Sequence, residues 1–313
     1  LLERTSKAVE QDSRPVQIVM TTHSPSLAAG ADIASLTLVN RAQLFSLAHG
    51  KTKLLKSDYE FLRRFIDATK ANLFFARGVA IVEGPAESLL LPALAAAAGY
   101  SFNEHGISCV NVGGVGLYHY ARILQPSDGS ATPIPVACIT DRDIVPDEAT
   151  YVSAPKKGKR FEKDYTPEEA EALVKTKIDR AQGGSTIVCV SNKWTLEYDL
   201  AFYGCDRLMH DAIHLAKKAN SRGERLTEED EKKAIVESAA FWEKLSNSGH
   251  SKAELASLIY QPLVEKEASK AITAQYAAHL ISTGDYGKGD ELFNNLPPYL
   301  QQALRHLTGR TEP

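Results

Sequence analysis

Four short apolar runs punctuate the middle of the chain: Ala76–Val82, Ile107–Val112, Pro135–Thr140 and Thr186–Val190. Each is short enough for a buried strand, and stretches with helical spacing separate them. The first such stretch, Ala86–Ala98, is rich in alanine and leucine, and Pro92 within it must either kink or break a helix. Leu117–Leu124 follows the second run, and Thr166-Pro167-Glu168-Glu169 opens another helix as a capping box, running to about Gln182 before Gly183-Gly184. Strands alternating with helices predict a parallel sheet with helices on its faces, an α/β class fold. Upstream, the pattern predicts a helix over Leu1–Gln11, strands over Val16–Met20 and Ile33–Val39, and a helix over Asp58–Ala71 that points Phe61, Leu62, Phe65 and Ile66 inward. From Trp194 the chain turns mostly helical. Residues 205–282 keep helical periodicity, with breaks at Ser221-Arg222-Gly223 and Asn247-Ser248-Gly249, and Leu292–Leu307 is helical around Pro297-Pro298. Three regions follow: a connector over 1–72, an α/β domain over 73–204, and an added helical domain over 205–313, parts of which pack back on the sheet.

Composition narrows the class without choosing a chemistry. Hydrophobic residues at 43% and charged residues at 24% suit a water-soluble globular chain, and the net charge of −3 carries no basic excess for nucleic acid. Carboxylates gathered for cations would contribute to that balance. The four cysteines, Cys109, Cys138, Cys189 and Cys205, form no Cys-x-x-Cys pair, so they read as reduced core residues of a cytoplasmic protein. The apolar stretch Leu89–Ala98 is too short to span a bilayer, and no signal peptide is evident.

The candidate chemistry lies where strands end. Glu83 follows the first strand, and Gly84-Pro85 starts a helix whose first turn carries Glu87. Asp141 and Asp143 follow the third strand, and strict alternation would aim them the same way. Glu197 and Ser191 lie just past the fourth strand. In open α/β sheets the crevice at the carboxyl ends of the strands is the ligand site. Oxygen donors of this kind suit Mg²⁺ or Mn²⁺. Taken singly, each residue has a plainer reading as a solvated or helix-capping carboxylate. Gly113-Gly114 is either a βα turn requiring positive φ or a loop that brings backbone N–H groups to phosphate. Lys156 and Lys157, within a basic, aromatic-containing segment over 151–165, are either solvated or a backbone grip for DNA.

This ordered set resembles the Toprim domain of topoisomerases, primases and some nucleases and, within that superfamily, the overcoming lysogenization defect (OLD) nucleases. Thr21-Thr22-His23-Ser24-Pro25, Trp194-Thr195-Leu196-Glu197-Tyr198-Asp199-Leu200 and Ser251-Lys252-Ala253-Glu254-Leu255-Ala256 carry the likeness beyond the sheet. The resemblance implies a Toprim fold with a helical addition. It also implies a two-metal site of Glu83, Glu87, Asp141, Asp143, Ser191 and Glu197, with Lys252 stabilising charge on the scissile phosphate. It implies metal-dependent nicking of DNA with little base specificity. His23 resembles the switch histidine of ABC-type ATPases, but no phosphate-cradling Gly-x-x-x-x-Gly-Lys loop accompanies it, so in this chain by itself His23 reads first as a loop or capping residue. The expectation is that residues 1–72 are the remnant of an ATPase in a longer ATPase-nuclease, whose missing region would mediate any homodimer. The competing expectation is a non-catalytic Toprim module that binds DNA or acts as a scaffold.

Overall fold

A computed structural model describes residues 18–40, 42–114, 116–154, 157–223 and 225–310. The expected helix over Leu1–Gln11 and residue Lys156 lie outside the described residues, as do the first two residues of the expected strand Val16–Met20. Ile18–Met20 is exposed and forms no strand, and a short helix α1 (Pro25–Ala29) follows, capped by the Ser24 hydroxyl. The predicted strand Ile33–Val39 divides. Asp32 caps a single 3-10 turn over Ile33–Ser35, and only β1 (Thr37–Asn40) is extended, paired antiparallel with β2 (Gln43–Ser46). Helix α2 (Lys56–Phe65) stops short of the expected Ala71, and a 3-10 segment over Lys70–Phe74 leads to the sheet.

The central sheet consists of β3 (Gly78–Val82), β4 (Ile107–Asn111), β5 (Val136–Thr140) and β6 (Thr186–Val190). All pairings are parallel and the order is β4-β3-β5-β6. The chain steps outward from β3 to β4 and then crosses back to β5, which puts the topological switch point between β3 and β5. That crossover is where such sheets open a crevice. The connecting helices are α3 (Pro85–Ala97), the short α4 (Phe102–His105), α5 (Leu117–Ile123) and α6 (Pro167–Ala181). The capping box at Thr166 and Glu169 forms as predicted, and α3 continues unbroken through Pro92.

Both faces of the sheet are buried, and strand alternation assigns them. Val79, Ile81, Val136, Cys138, Val188 and Val190 face one core, shared with Leu62, Leu73, α5 and the 28–74 region. Ala80, Val82, Ala137, Ile139 and Cys189 face the other, shared with α3 and the helical C-terminal third. Two-sided burial explains why the strands read as continuous apolar runs. The four cysteines are free, and burial pushes the thiols of Cys109, Cys189 and Cys205 up to about 12.

The remaining helices are α7 (Leu196–Tyr203), α8 (Asp206–Arg222), α9 (Glu228–Ser246), α10 (Lys252–Val264), α11 (Lys270–Ser282), α12 (Gly289–Asn295) and α13 (Pro298–Thr308). They share a core with the sheet: α11 packs along α3, and α13 lies across β3, β5 and β6. Among the described residues, no helix is long and apolar enough to cross a membrane.

A buried polar knot fastens α9 to α8. Asp211, fully buried on α8, accepts from Arg207 Nε at 2.6 Å, Ser238 Oγ at 2.5 Å and Tyr286 Oη at 2.8 Å, with His210 Nδ1 at 3.1 Å. Burial alone would raise its pKa, but these hydrogen bonds prevail and hold it down at about 2. A carboxylate with a depressed folded pKa contributes stability above its unfolded value near 4 and loses it as pH falls toward the folded one. Asp211→Asn is expected to cost about 2 kcal/mol near neutral pH, the range for breaking a charged hydrogen-bond set. The gap to wild type should narrow between about pH 4 and 2. Thermal denaturation of both proteins across that range checks it.

Candidate metal centre

Glu83 leaves β3 at the switch point. Its carboxylate accepts from Thr140 Oγ1 at 2.5 Å, a contact that joins the ends of β3 and β5. Glu87 stands one turn into α3, and its Oε2 folds back over Gly84. A Cβ built on Gly84 would meet that oxygen at 2.9 Å. Gly84 has an extended φ of −142°, so it does not serve the positive-φ turn that a glycine there suggests, and a side chain at this position would displace the Glu87 carboxylate.

Asp141 accepts from the Leu196 backbone N–H at 3.2 Å, which places its carboxylate at the N-terminus of α7. Glu197 is buried at 3% exposure on the same first turn and accepts from Thr195 Oγ1 at 3.1 Å. Burial raises the pKa of Asp141 well above the usual range, and the neighbouring charges of Glu197, Glu87 and Glu83 add to the effect of burial. Glu87 is raised likewise, by burial first and then by Glu197 and Glu83. Mutual repulsion thus links all four groups.

The cation opposing them is Lys270, the first residue of α11. Its Nζ donates to Glu197 Oε2 at 2.9 Å and lies 5.6 Å from the Tyr260 ring centroid. Burial would lower its pKa, but Glu197, Tyr260 and Asp141 prevail and raise it. Sequence reasoning missed this residue. The usable signal is a duplicated helix start: Ser269-Lys270-Ala271 repeats Ser251-Lys252-Ala253 eighteen residues on. Lys252 is exposed in the first turn of α10, behind the Ser251/Glu254 capping box, and among the described residues it makes no ion pair.

Asp143 departs from its expected orientation. The strand ends at Thr140, and Asp143 takes a left-handed φ of 65°, so strand alternation does not reach it. Its side chain is 73% exposed and pairs with Lys177 of α6 at 2.5 Å, while the same Nζ donates to the Asp141 carbonyl at 2.6 Å. Ser191 is buried and committed to the backbone. Its Oγ donates to the Trp194 carbonyl and accepts the Arg142 N–H, both at 2.7 Å, clamping the loop after β5 to the loop after β6. Asp199, which is also buried, accepts N–H groups of Asn192, Lys193 and Trp194 and completes that clamp. Its pKa rises to about 6, through burial and against those bonds.

The phosphate-binding expectation for Gly113 and Gly114 does not fit their geometry. Gly113 N–H donates to Asn111 Oδ1 at 2.8 Å and Gly114 N–H to the Glu83 carbonyl at 2.5 Å, so both donors turn inward. Their φ values of 70° and 72° bear out the turn reading. The basic segment is tied down by a bridge between Val145 and Phe161, with Lys159 paired to Glu169. Lys157 remains exposed there. His23 is exposed, 6.3 Å from the Phe75 ring.

The donor chemistry fits hard divalent cations: Glu83, Glu87, Asp141 and Glu197 give four carboxylates against one lysine. A further orphan supports this. The Tyr299 hydroxyl is buried and without a hydrogen-bond partner among the described residues, and burial followed by the charges of Asp199, Asp141, Glu197 and Glu87 raises its pKa. Among the described residues, no three His, Cys, Asp or Glu side chains stand close enough to hold an ion as they are.

Residues 74–143 match the family model described as overcoming lysogenization defect protein-like, TOPRIM domain. That stretch holds Glu83, Glu87, Asp141 and Asp143, and it is an OLD-like Toprim domain, as the sequence resemblance implies. Among solved structures, the chain is similar to the C-terminal region of the Burkholderia pseudomallei OLD protein, at 21% identity over 75% of this chain and 98% of that one, with a TM-score of 0.42. It is also similar to the C-terminal region of the Xanthomonas campestris pv. campestris OLD protein, at 22% identity over 76% and 95% of the two chains, with a TM-score of 0.42. No curated protein matches the chain.

Lys270 is expected to restrain the repulsion within this cluster. Lys270→Met should cost about 1–3 kcal/mol, below the range for fully buried pairs because the lysine side chain is 43% exposed. Saturating Mg²⁺ should recover part of that loss, since a cation bound to the folded state stabilises it. Denaturant unfolding with and without Mg²⁺ checks both expectations, and an undiminished midpoint in the metal-free variant would remove Lys270 from this role.

Proposed function

We propose that this chain is the catalytic part of a divalent-metal-dependent DNA endonuclease that hydrolyses phosphodiester bonds by a two-metal route. The observation that carries this reading is the excess of negative charge gathered at the switch point, where Glu197 is buried and Glu83, Glu87 and Asp141 are half-buried. Four carboxylates, of which Asp141 and Glu87 gain proton affinity from burial and from their neighbours, opposed by one lysine, form a site whose charge is balanced best by added dications. Bound Mg²⁺ or Mn²⁺ would supply an activated water and Lewis acidity at the phosphate. Glu83 and Asp141 would hold one ion from adjacent strand ends. Glu87 and Glu197 would complete a second position, with Asp143 at the exposed rim after release from Lys177. Ser191 would act through the backbone it clamps.

Lys270 takes the role the resemblance assigns to Lys252, because its ammonium group is the one that reaches the carboxylates. It would offer a point charge to a non-bridging phosphate oxygen. DNA would be gripped through its backbone, with Lys157 at the periphery, so little base specificity follows. An N-terminal ATPase region in the full-length protein belongs to this proposal, as the sequence resemblance implies.

One observation favours a second reading, a Toprim module that binds DNA or scaffolds without cutting: the carboxylates do not converge tightly enough to hold an ion as they stand. Supercoiled plasmid incubated with the protein and Mg²⁺, Mn²⁺ or EDTA separates the two. The nuclease reading expects open-circle product with either metal and none with EDTA. Asp141→Ala should reduce cleavage more than about 100-fold, beyond the loss typical of outer-shell changes, with DNA retention in gel shifts preserved. Metal-independent binding with no nicking would establish the module instead.

A further inference from the structure

Away from the carboxylates, helices α8, α9 and α10 enclose an open trough of about 800 Å³. Each helix contributes positions at helical spacing. From α8 come His210, Ile213, His214, Lys217, Lys218 and Ser221, at intervals of three, four, seven, eight and eleven from the first. From α9 come Phe241, Lys244 and Leu245, at three and four, and Ser248 follows just past its C-terminus. Leu258, Ile259 and Pro262 of α10 close the opposite wall. At 1.5 Å per residue the α8 stripe is roughly 16 Å long, about three helical turns.

Three helices thus line one open channel, the kind of groove between helices that can receive a further helix. The floor is apolar, and α9 is only lightly covered from this side: Phe241 is 56% exposed and Leu258 of α10 40%. The Asp211 knot holds α9 against α8 with the trough open. No acidic residue is among the lining, whereas three lysines and three histidines are. Lys217 and Lys218 pair with Glu267 and Glu237 on the outer surface, and these exposed pairs exchange at little cost. Lys244 has no ion pair among the described residues.

We propose that this trough is a docking groove for an acidic amphipathic helix of a partner protein. The partner's apolar stripe would lie on Ile213, Phe241, Leu245 and Ile259, and glutamates or aspartates on its flanks would meet Lys217, Lys218 and Lys244. This is helix-in-groove recognition, in which apolar anchors supply affinity and rim charges supply orientation and rate.

The test uses a fluorescein-labelled synthetic amphipathic helix with leucines on one stripe and glutamates elsewhere, and a twin in which lysine replaces every glutamate. Fluorescence anisotropy against the full chain should show saturable binding of the glutamate peptide and at least about tenfold weaker binding of its twin, a difference of about 1.4 kcal/mol. Reversing the rim (Lys217→Glu with Lys244→Glu) should weaken the glutamate peptide about tenfold or more. Phe241→Ser, at an exposed position that the fold does not need, should do the same through the floor and guards against a rim variant that misfolds. Absence of binding, equal binding of the twins, or binding indifferent to these substitutions would each overturn the proposal. Single-stranded DNA competing for the same lysines would reassign the groove to nucleic acid. Self-association abolished by Phe241→Ser would reassign it to a second copy of this chain.

Discussion

Like charges brought together out of water are the constraint around which this molecule is arranged. Glu83, Glu87, Asp141 and Glu197 come from β3, α3, the loop after β5 and α7, so no single element fixes the cluster. Three of them are held by a neighbouring donor: Thr140 for Glu83, the Leu196 N–H for Asp141 and Thr195 for Glu197. Local donors do not cancel repulsion, and Lys270 does so only from a distant helix. The packing of α11 along α3 therefore has an electrostatic purpose as well as an apolar one. It delivers one ammonium group to the middle of the crevice.

The backbone around this cluster is fixed by side chains that bind its amides. Ser191 and Asp199 between them bind the amides of Arg142, Asn192, Lys193 and Trp194. Those bonds hold the loops after β5 and β6 at a set separation, and the separation places Asp141 against α7. Asp199 is buried as well, and its oxygens are taken by the N–H groups of Asn192, Lys193 and Trp194. Asp211 makes the same point in the helical region, where donors surround it completely.

The sheet was legible because two-sided burial writes strands as apolar runs, and all four central strands fall where those runs lie. The helix start at Thr166 was legible for a local reason, since capping is a matter of neighbouring residues. The upstream segment was not: Asp32 and Ser35 turned an apolar stretch into a 3-10 turn. The carboxylates at strand ends could be nominated from spacing alone. Asp143 could not be placed by it, because the alternation rule holds only inside a strand and the strand had ended. Lys270 was hidden for a deeper reason, as its contact with Glu197 bridges 73 residues and nothing local distinguishes it from Lys252. The inward-turned amides of Gly113 and Gly114 depended equally on a partner in another segment.

That span of 73 residues also sets an order of events. During synthesis the sheet and all four carboxylates leave the ribosome before α11, and α13, which covers the sheet, follows later still. Until α11 arrives, the crevice lacks its internal cation and its acids repel. Contacts of such long sequence separation are among the last to form. The acid cluster therefore stays without its internal counter-charge until the chain is nearly complete, and a chain cut short before residue 270 would carry the acids without that ammonium group.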